Sequence, residues 1–228
     1  RVSKYEAAIA VLRVACDLEP DNSDARLNLG VAYGETGDFA AADESLLKAS
    51  SLGSMRPAVF RNLGVVRLKQ DDASAAVDCF RMALNLGRQD IASWCGLGEA
   101  LTTVQNYQEA EEAYQTALQI SPDHLLALAG LSMVFVHQGK LEEARSILDE
   151  LLIRSPDNAE ALSTLGLVFS IENEDEKAIE CYKKAMASAP DSDLAYFRLS
   201  SLYKKQGEWL QAADILLKAM CFRPKDLG

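Results

Sequence analysis

The chain has 228 residues and a formal net charge of −11 at pH 7, from 23 Lys and Arg against 34 Asp and Glu. Nucleic-acid binding depends mainly on Lys and Arg side chains that neutralise phosphates, so this acidic balance argues against a nucleic-acid partner. Hydrophobic residues make up 49% of the chain, enough for a well-buried core, yet no apolar run reaches the roughly 18 residues of a membrane-spanning helix.

A period of 34 residues runs through the sequence. One column of this period holds only alanine, and a second column holds only leucine, each followed by Gly or Ser. Chance does not place the same residue at one register seven times in succession, so the period is an internal repeat. The alanines are Ala8, Ala42, Ala76, Ala110, Ala144, Ala178 and Ala212, and the leucines are Leu29, Leu63, Leu97, Leu131, Leu165 and Leu199.

Each repeat contains two segments with apolar residues three and four positions apart, which predicts two amphipathic helices joined by a turn. In chain order, an N-terminal half repeat at residues 5–22 supplies one helix at about 5–19. In the last repeat the helices are predicted at about 193–206 and 209–222. Six complete repeats are predicted, at residues 23–56, 57–90, 91–124, 125–158, 159–192 and 193–226.

The turn and the helix contact each have a predicted geometry. Gly37, Gly139 and Gly207 stand at the turn, where a left-handed conformation is least costly for glycine. Strict alanine early in the second helix, with Gly or Ser opposite it in the first, predicts that the two backbones approach closely. Asp71, Gln105 and Asn173 occupy the turn position in the other repeats.

The repeats resemble the tetratricopeptide repeat (TPR), whose pattern over 34 residues is W-x2-L-G-x2-Y, then A-x3-F, then P. The proline column is interrupted by Ser54 and Arg88 at the two early junctions. The third repeat reads Trp94, Leu97, Gly98, Leu101, Ala110, Tyr114, Pro122, and the fifth reads Leu162, Leu165, Gly166, Phe169, Ala178, Tyr182, Pro190. The other prolines of the column are Pro20, Pro156 and Pro224.

This resemblance implies an all-α fold, a right-handed α-solenoid of antiparallel helix pairs, with six full repeats and one N-terminal half repeat in a single domain over residues 1–228. The sequence starts within a repeat and ends without the polar capping helix that solenoids usually carry. We therefore expect the chain to be a fragment of a longer protein.

Two arginines depart from the TPR pattern in the first two repeats. Arg26 stands in the column of Phe60 and Trp94, and Arg67 stands in the column of Tyr33 and other large apolar residues. The simpler interpretation is that each aliphatic stem packs on apolar neighbours while the guanidinium lies in water, with a partner-binding role as the alternative. Packing in these two repeats is expected to be looser.

The reactive residue types favour neither a metal nor a catalytic site. The five cysteines are scattered without a Cys-x-x-Cys pair, which predicts free thiols in a reducing cytoplasm, with Cys95 the best candidate for an isolated reactive thiol. His124 and His137 lack further ligands at zinc spacing, so no metal or other cofactor is expected. Phosphate-binding loops, a Gly-x-Ser-x-Gly elbow and a His-Glu-x-x-His motif are absent from the sequence, which predicts a non-catalytic protein.

The TPR resemblance implies a concave groove, lined by the first helices, that holds an extended or helical segment of another protein. We assign the second, fifth, sixth, ninth and thirteenth columns of each first helix to this groove. Asn28 and Asn62 share the sixth column, where asparagine in several TPR proteins bonds the backbone of a bound peptide. The candidate groove residues are Asn28, Arg61, Asn62, Val65, Lys69, Glu99, Met133, His137, Leu167, Phe197, Arg198 and Lys205.

The groove columns also indicate what kind of segment fits. The middle repeats offer small and apolar residues with Met133 as an adaptable contact. Residues 193–228 carry 6 Lys and Arg against 4 acids, whereas residues 91–124 carry 5 acids and no Lys or Arg. A ligand with acidic residues toward one end would suit this gradient. The paired Lys and Asn columns of co-chaperone TPR domains hold Leu27/Val31, Arg61/Val65 and Cys95/Glu99 here, which argues against Hsp70 or Hsp90 C-terminal tails as partners.

Two alternatives to a free-standing interaction module stay open. In the first alternative, the chain is the substrate-selecting arm of a larger enzyme, such as a protein glycosyltransferase that recognises substrates through TPRs. In the second alternative, the chain is a self-assembling scaffold. The N-terminal helix offers Ile9, Leu12 and other apolar residues with no preceding helix to cover them, and such a surface favours a homodimer through exposed repeat ends.

Overall fold

The computed structural model describes residues 2–53 and 55–222, and every regular element in these residues is an α-helix. The all-α prediction is therefore confirmed. The thirteen described helices are α1 Val2–Leu18, α2 Ser23–Thr36, α3 Phe39–Ser51, α4 Pro57–Lys69, α5 Ala73–Leu86, α6 Ile91–Thr103, α7 Tyr107–Ile120, α8 Leu125–His137, α9 Leu141–Arg154, α10 Ala159–Ile171, α11 Asp175–Ser188, α12 Asp193–Lys205 and α13 Trp209–Phe222.

The helix bounds follow the predicted repeats closely. The last repeat has its helices at Asp193–Lys205 and Trp209–Phe222, as its sequence predicts. The N-terminal helix begins earlier than predicted, at Val2. Ser54, Pro224 and the end of the last repeat at 223–226 lie outside the described residues.

The helices contact each other within two units, Arg1–Ala127 and Leu128–Gly228. In the N-terminal unit each helix from α1 to α7 packs on the next, and the first helix α4 also contacts α2 and α6. In the C-terminal unit the helices from α9 to α13 pack in the same order, and α10 contacts α12. One continuous domain over residues 1–228 stays a prediction.

The alanine column lies at the helix contacts, as predicted. Six of its members, from Ala42 to Ala212, are buried, five of them completely. Ala8 is half-buried, and it lies in α1, the first helix that the structure describes. All six column leucines are buried as well. The 34-residue period therefore sets which face of each helix enters the core.

The glycine column faces the second helix of its repeat, as predicted: a Cβ atom added to Gly30 would lie 2.6 Å from Leu46 and 3.2 Å from the carbonyl oxygen of Ala42. A Cβ atom added to Gly64 would lie 2.8 Å from the ring of Phe80, and one added to Gly98 would lie 2.7 Å from Tyr114. These aromatic residues stand four positions after the column alanine. The missing side chain therefore makes room mainly for the residue four positions after the alanine, because a close fit leaves no space for a methyl group.

Serine replaces this glycine in the fourth and sixth repeats. There the residue four positions after the alanine is Leu148 or Leu216 instead of an aromatic residue. Both serine hydroxyls are buried, and each donates a hydrogen bond to a carbonyl of its own helix: Ser132 to Ala129 at 2.7 Å and Ser200 to Phe197 at 3.0 Å. The local bond satisfies the buried hydroxyl without a partner from the second helix.

All six predicted turn positions adopt a left-handed backbone. Gly37, Gly139 and Gly207 have φ between 75° and 85°. The residues that replace glycine have φ between 60° and 62°, and they are Asp71, Gln105 and Asn173. A left-handed conformation costs a residue with a side chain roughly 1–2 kcal/mol, although Asn and Asp tolerate it better than Gln.

Replacing Gln105 with glycine is expected to raise the free energy of unfolding by about 0.5–1 kcal/mol. The relief of left-handed strain exceeds the extra backbone entropy that glycine loses on folding. Urea denaturation followed by circular dichroism measures the change. Asn173→Gly is the matched control at the same turn position and should gain less, because asparagine tolerates the left-handed region. A loss of stability in Gln105→Gly would contradict the strain at this turn.

One of the two unusual arginines does not extend into water as predicted. The Nη2 atom of Arg67 lies 3.0 Å from Asp43 Oδ1, and the side chains are 28% and 17% exposed. Arg67 therefore forms a largely buried ion pair that joins α4 to α3, and the solvated interpretation is wrong for it. The Nε atom of Arg26 is likewise buried, and no hydrogen-bond partner lies near it in the described residues.

The N-terminal helix exposes apolar residues, as predicted, but Ile9 and Leu12 are not the most exposed of them. Ile9 and Leu12 are half-buried and pack against the cluster of Cys16, Ala25 and Leu29. The exposed apolar residues of α1 are instead Val11, Val14 and Leu18. Association through the repeat ends stays a prediction.

Across the described part of the chain, no helix combines the length and hydrophobicity needed to cross a membrane.

Candidate functional site

Three predicted groove residues line one cleft in the N-terminal unit. Asn62, Val65 and Lys69 of α4 face Val31 and Glu35 of α2 across a cleft of about 250 Å³. Positions three and four residues apart share a helix face, so residues 62, 65 and 69 follow the cleft along α4. We call this space the α2–α4 cleft. Its remaining lining residues are Gly30, Gly34, Phe39, Leu46 and Val66.

Glycine and exposed valine shape the α2–α4 cleft. A Cβ atom added to Gly34 would meet nothing within 4 Å, so the missing side chain leaves the wall of α2 open. Val65 is 45% exposed although it is apolar. An exposed apolar side chain beside an open wall is a surface on which another apolar side chain can bury itself.

The polar side chains of the α2–α4 cleft make no side-chain hydrogen bond or ion pair with the residues that the structure describes. Asn62 is half-buried, yet its amide makes no hydrogen bond to another described residue. Glu35 and Lys69 are exposed and place opposite charges on the two walls. Asn28, which precedes Asn62 in the same column, is exposed and lies outside this cleft. An amide both donates and accepts, so Asn62 matches a peptide bond.

Arg61, also predicted to contact a ligand, instead joins α4 to the start of α6. Its Nη1 donates to Asp90 Oδ2 at 2.8 Å, and the same carboxylate oxygen accepts from Ser93 Oγ at 2.7 Å. Burial alone raises the pKa of Asp90, but the hydrogen bonds from Ser93 and Arg61 outweigh burial and hold the pKa below its ordinary value. The Arg61 guanidinium therefore connects α4 to the start of α6, and its Nη1 donor is occupied by this contact.

The ring of Phe80 explains why the asparagine column ends after two repeats. The third position of the column is Gly96, where an added Cβ would lie 2.4 Å from Phe80 Cε1. Phe80 is completely buried and fills the space that a side chain at residue 96 would need. Sequence reasoning identified the change from Asn to Gly but not its cause, because residues 80 and 96 belong to different repeats.

Cys95, the candidate reactive thiol, is suited to packing instead. Its Sγ lies 3.6 Å from His124 Nδ1, which also accepts from the Ala127 amide at 3.3 Å. Burial, assisted by the carboxylates of Asp90 and Glu99, raises the pKa of Cys95 to about 11. A thiol that resists ionisation is a poor nucleophile, so the reactive alternative is wrong. No metal-binding group of three His, Cys, Asp or Glu residues occurs in the described ranges.

The C-terminal unit places the remaining candidates on α8, α10 and α12. Phe197 of α12 is 56% exposed, and Leu167 of α10 is half-buried. Arg198 Nη1 donates to Ser163 Oγ at 3.1 Å, and Lys205 Nζ donates to Asn173 Oδ1 at 3.2 Å. The two cations thus connect α12 to α10 and its following turn, whereas the Phe197 ring remains accessible.

The other predicted groove positions differ in exposure. Glu99 on α6 and His137 on α8 are exposed, and Met133 on α8 is half-buried. Part of the fifth and sixth columns lies in the core, because these columns contain the buried residues Leu27, Ala129, Ser163 and Thr164. These two columns therefore contribute less to a groove than the sequence columns predict.

Comparison with known families agrees with the repeat. A family model described as the TPR domain of cytochrome c-type biogenesis protein H matches residues 81–196, just over half of the chain. The chain belongs to the tetratricopeptide repeat superfamily. Two further TPR models match this TPR protein at residues 3–37 and 23–52. No curated protein sequence matches it.

Solved structures share the fold of this TPR protein at low sequence identity. A TPR protein from Parabacteroides merdae is 18% identical with a TM-score of 0.86, and the match covers 96% of this chain and 87% of that one. YrrB, described as a TPR protein with an unusual peptide-binding site, is 23% identical over 81% of this chain and 95% of its own, with a TM-score of 0.62. A chain of the Cut9–Hcn1 complex is 14% identical with a TM-score of 0.80, over 98% of this chain and 44% of its own.

Proposed function

We propose that the chain is a non-catalytic scaffold that binds a peptide or helical segment of a partner protein, with the α2–α4 cleft as the principal contact. The observation that carries this proposal is the unengaged amide of Asn62 beside the exposed side chain of Val65. A site of this kind offers a hydrogen-bonding group for the ligand backbone and an apolar contact for one ligand side chain.

Charge gives the bound segment a preferred direction. Glu35 and Lys69 line opposite walls of the cleft and are both exposed. A segment with a basic and an acidic residue at matching positions pairs with both walls, whereas the reversed segment meets like charges. Exposed pairs of this kind add specificity and association rate more than affinity.

The C-terminal unit supplies a second contact in this proposal. Phe197 is a large exposed ring, and aromatic residues are frequent anchors of protein interfaces. Met133 and Leu167 add adaptable apolar surface on the neighbouring first helices. Arg198 and Lys205 contribute positive charge, but their bonds to Ser163 and Asn173 hold them near α10.

The comparisons support a binding role of this class. YrrB is described as having a peptide-binding site, and Cut9 is described in a complex with Hcn1. The TPR fold that these proteins share with this chain presents a surface for other polypeptides. A reducing, cytoplasmic location belongs to the same proposal and is supported by the five free cysteines.

The double variant Asn62→Ala/Val65→Glu is expected to weaken partner binding about 10- to 100-fold, because it removes the amide and places a charge on the apolar contact. Affinity capture with mass spectrometry identifies the partner, and titration of the captured partner measures the change. Met82→Glu, at an exposed position of α5 outside the cleft, is the matched control. Circular dichroism verifies that both variants fold. If the double variant captured the same partner with unchanged affinity, the α2–α4 cleft would not be the binding site.

A further inference from the structure

Two clefts on the N-terminal unit are built from the same repeat positions. The first lies between α1, α2 and α3, and the second between α5, α6 and α7. Ten lining residues of the first cleft have their counterpart in the second, 68 residues or two repeats later. The clefts nevertheless differ in volume, at about 830 Å³ and about 370 Å³. We call them the first and second repeat clefts; neither shares its polar groups with the α2–α4 cleft.

The second repeat cleft satisfies its own polar groups. Arg81 Nη2 lies 2.5 Å from Glu109 Oε2, so the cation has a carboxylate partner from α7. Trp94 fills part of the space, and its Nε1 donates to the carbonyl of Arg88 at 2.8 Å. The cleft thus contains a paired arginine and a large ring.

The first repeat cleft lacks both features. Arg13 occupies the position of Arg81, but Ala41 stands where Glu109 supplies the carboxylate. Arg26 replaces Trp94, and its Nε atom is buried without a hydrogen-bond partner in the described residues. Lys48 replaces Thr116 and adds a third cation. None of the three cations has a carboxylate partner in the described residues, so the cleft is suited to an acceptor from outside the chain.

Two carboxylates also line the first repeat cleft and limit what it can attract. Asp17 and Glu44 are exposed on α1 and α3, and neither forms an ion pair with the three cations in the described residues. The balance of three cations to two acids does not favour a polyanion. It favours a single carboxylate that pairs with Arg13 and with the accessible part of the half-buried Arg26 side chain.

We propose that the first repeat cleft binds a short segment of another protein that carries a glutamate or aspartate among apolar residues. Its carboxylate takes the place that Glu109 occupies in the second repeat cleft and pairs with Arg13 and Arg26. Its apolar side chains rest on Leu29 and Tyr33, which line the same cleft. The volume is in the range of ligand pockets and far exceeds one inorganic anion, which favours a peptide segment as the occupant.

Ala41→Glu tests this proposal without weakening the fold. Residue 41 is the third residue of α3, and its amide already bonds the capping side chain of Asp38. A glutamate there lies in the first turn, where the helix dipole favours a carboxylate, and pairs with Arg13 as Glu109 does with Arg81. We therefore expect an unchanged or higher melting temperature together with lost binding. Ala75→Glu is the matched control: it is the same change, one repeat later, at the same position after the capping residue Asp72.

The probe is a fluorescein-labelled ten-residue peptide that carries a single glutamate among apolar and uncharged residues, with versions in which glutamine or phosphoserine replaces the glutamate. We expect the glutamate peptide to bind, and the affinity to fall at least tenfold in Ala41→Glu, in Arg26→Trp and for the glutamine peptide. Ala75→Glu and Val65→Glu should bind the probe as the unaltered chain does, which separates this cleft from the α2–α4 cleft.

Four outcomes would overturn the proposal. These are no binding of the glutamate peptide up to millimolar concentration, equal binding of the glutamine peptide, unchanged binding in Ala41→Glu, and at least tenfold preference for phosphoserine, which would assign the cleft to phosphopeptides. Sedimentation adds a fifth, because a dimer that Ala41→Glu dissociates would make a second copy of the chain the occupant.

Discussion

Replacing Phe80 with alanine is expected to lower the free energy of unfolding by about 3–5 kcal/mol, the usual cost of removing a buried phenyl ring. Phe80 is completely buried, and its ring lies against two glycines, Gly64 of α4 and Gly96 of α6. Neither glycine has a side chain that can move into the empty space, so the cavity stays open. Urea denaturation followed by circular dichroism measures the loss.

The matched control for Phe80→Ala is Met82→Ala on the same helix, where the side chain is 43% exposed and the expected loss is below about 0.5 kcal/mol. Gly96→Ala should also destabilise, by about 1–3 kcal/mol, because its methyl group would collide with the ring. That cost should shrink in a Phe80→Leu background, since a smaller side chain frees the space. Equal costs in both backgrounds would show that Phe80 does not limit residue 96.

Alkylation of Cys95 by iodoacetamide at pH 8 is expected to be about 100-fold slower in the folded protein than in the unfolded chain. The pKa of this thiol rises from its ordinary value of 9.0 to about 11 in the fold, mainly through burial. At pH 8 the thiolate, which is the reacting species, therefore falls from about one tenth to about one thousandth of the molecules. Peptide mass spectrometry over time measures the rate at each cysteine.

The exposed Cys221 is the internal control and should react much faster than Cys95 in the same sample. The free energy of unfolding should depend on pH through the same raised pKa of Cys95. Because the folded pKa lies above the unfolded one, the contribution of Cys95 is complete below about pH 9 and is lost as pH rises toward 11. Comparable rates at Cys95 and Cys221 would contradict the burial of the Cys95 thiol.

The helix register could be predicted from the sequence because the period of 34 residues fixes which face of each helix meets the next. Ala42 and Ala76 are buried for this reason, and Gln105 adopts the left-handed turn that glycine adopts in other repeats. The same register brought Asn62, Val65 and Lys69 to one cleft. These properties depend on spacing within one repeat, and spacing is visible in a sequence.

Contacts between helices that belong to different helix pairs could not be predicted in this way. The pairing of Arg61 with Asp90 and that of Arg67 with Asp43 join residues 29 and 24 positions apart, and the repeat pattern contains no equivalent pair from which to infer them. The steric conflict between residue 96 and Phe80 is of the same kind. Each depends on the distance between side chains of neighbouring helix pairs, which varies with the residues packed between them.

The sequence by itself thus determined the helices, their order, their turns and the faces they bury, because a 34-residue period with strict small and apolar columns allows few other packings. Only the tertiary structure decided which polar side chains remain available to a ligand. A positively charged residue on the predicted face is available to a partner only if no carboxylate of a neighbouring helix or turn pairs with it. Asp90 pairs with Arg61, whereas Ala41, which lines the same cleft as Arg13, has no carboxylate.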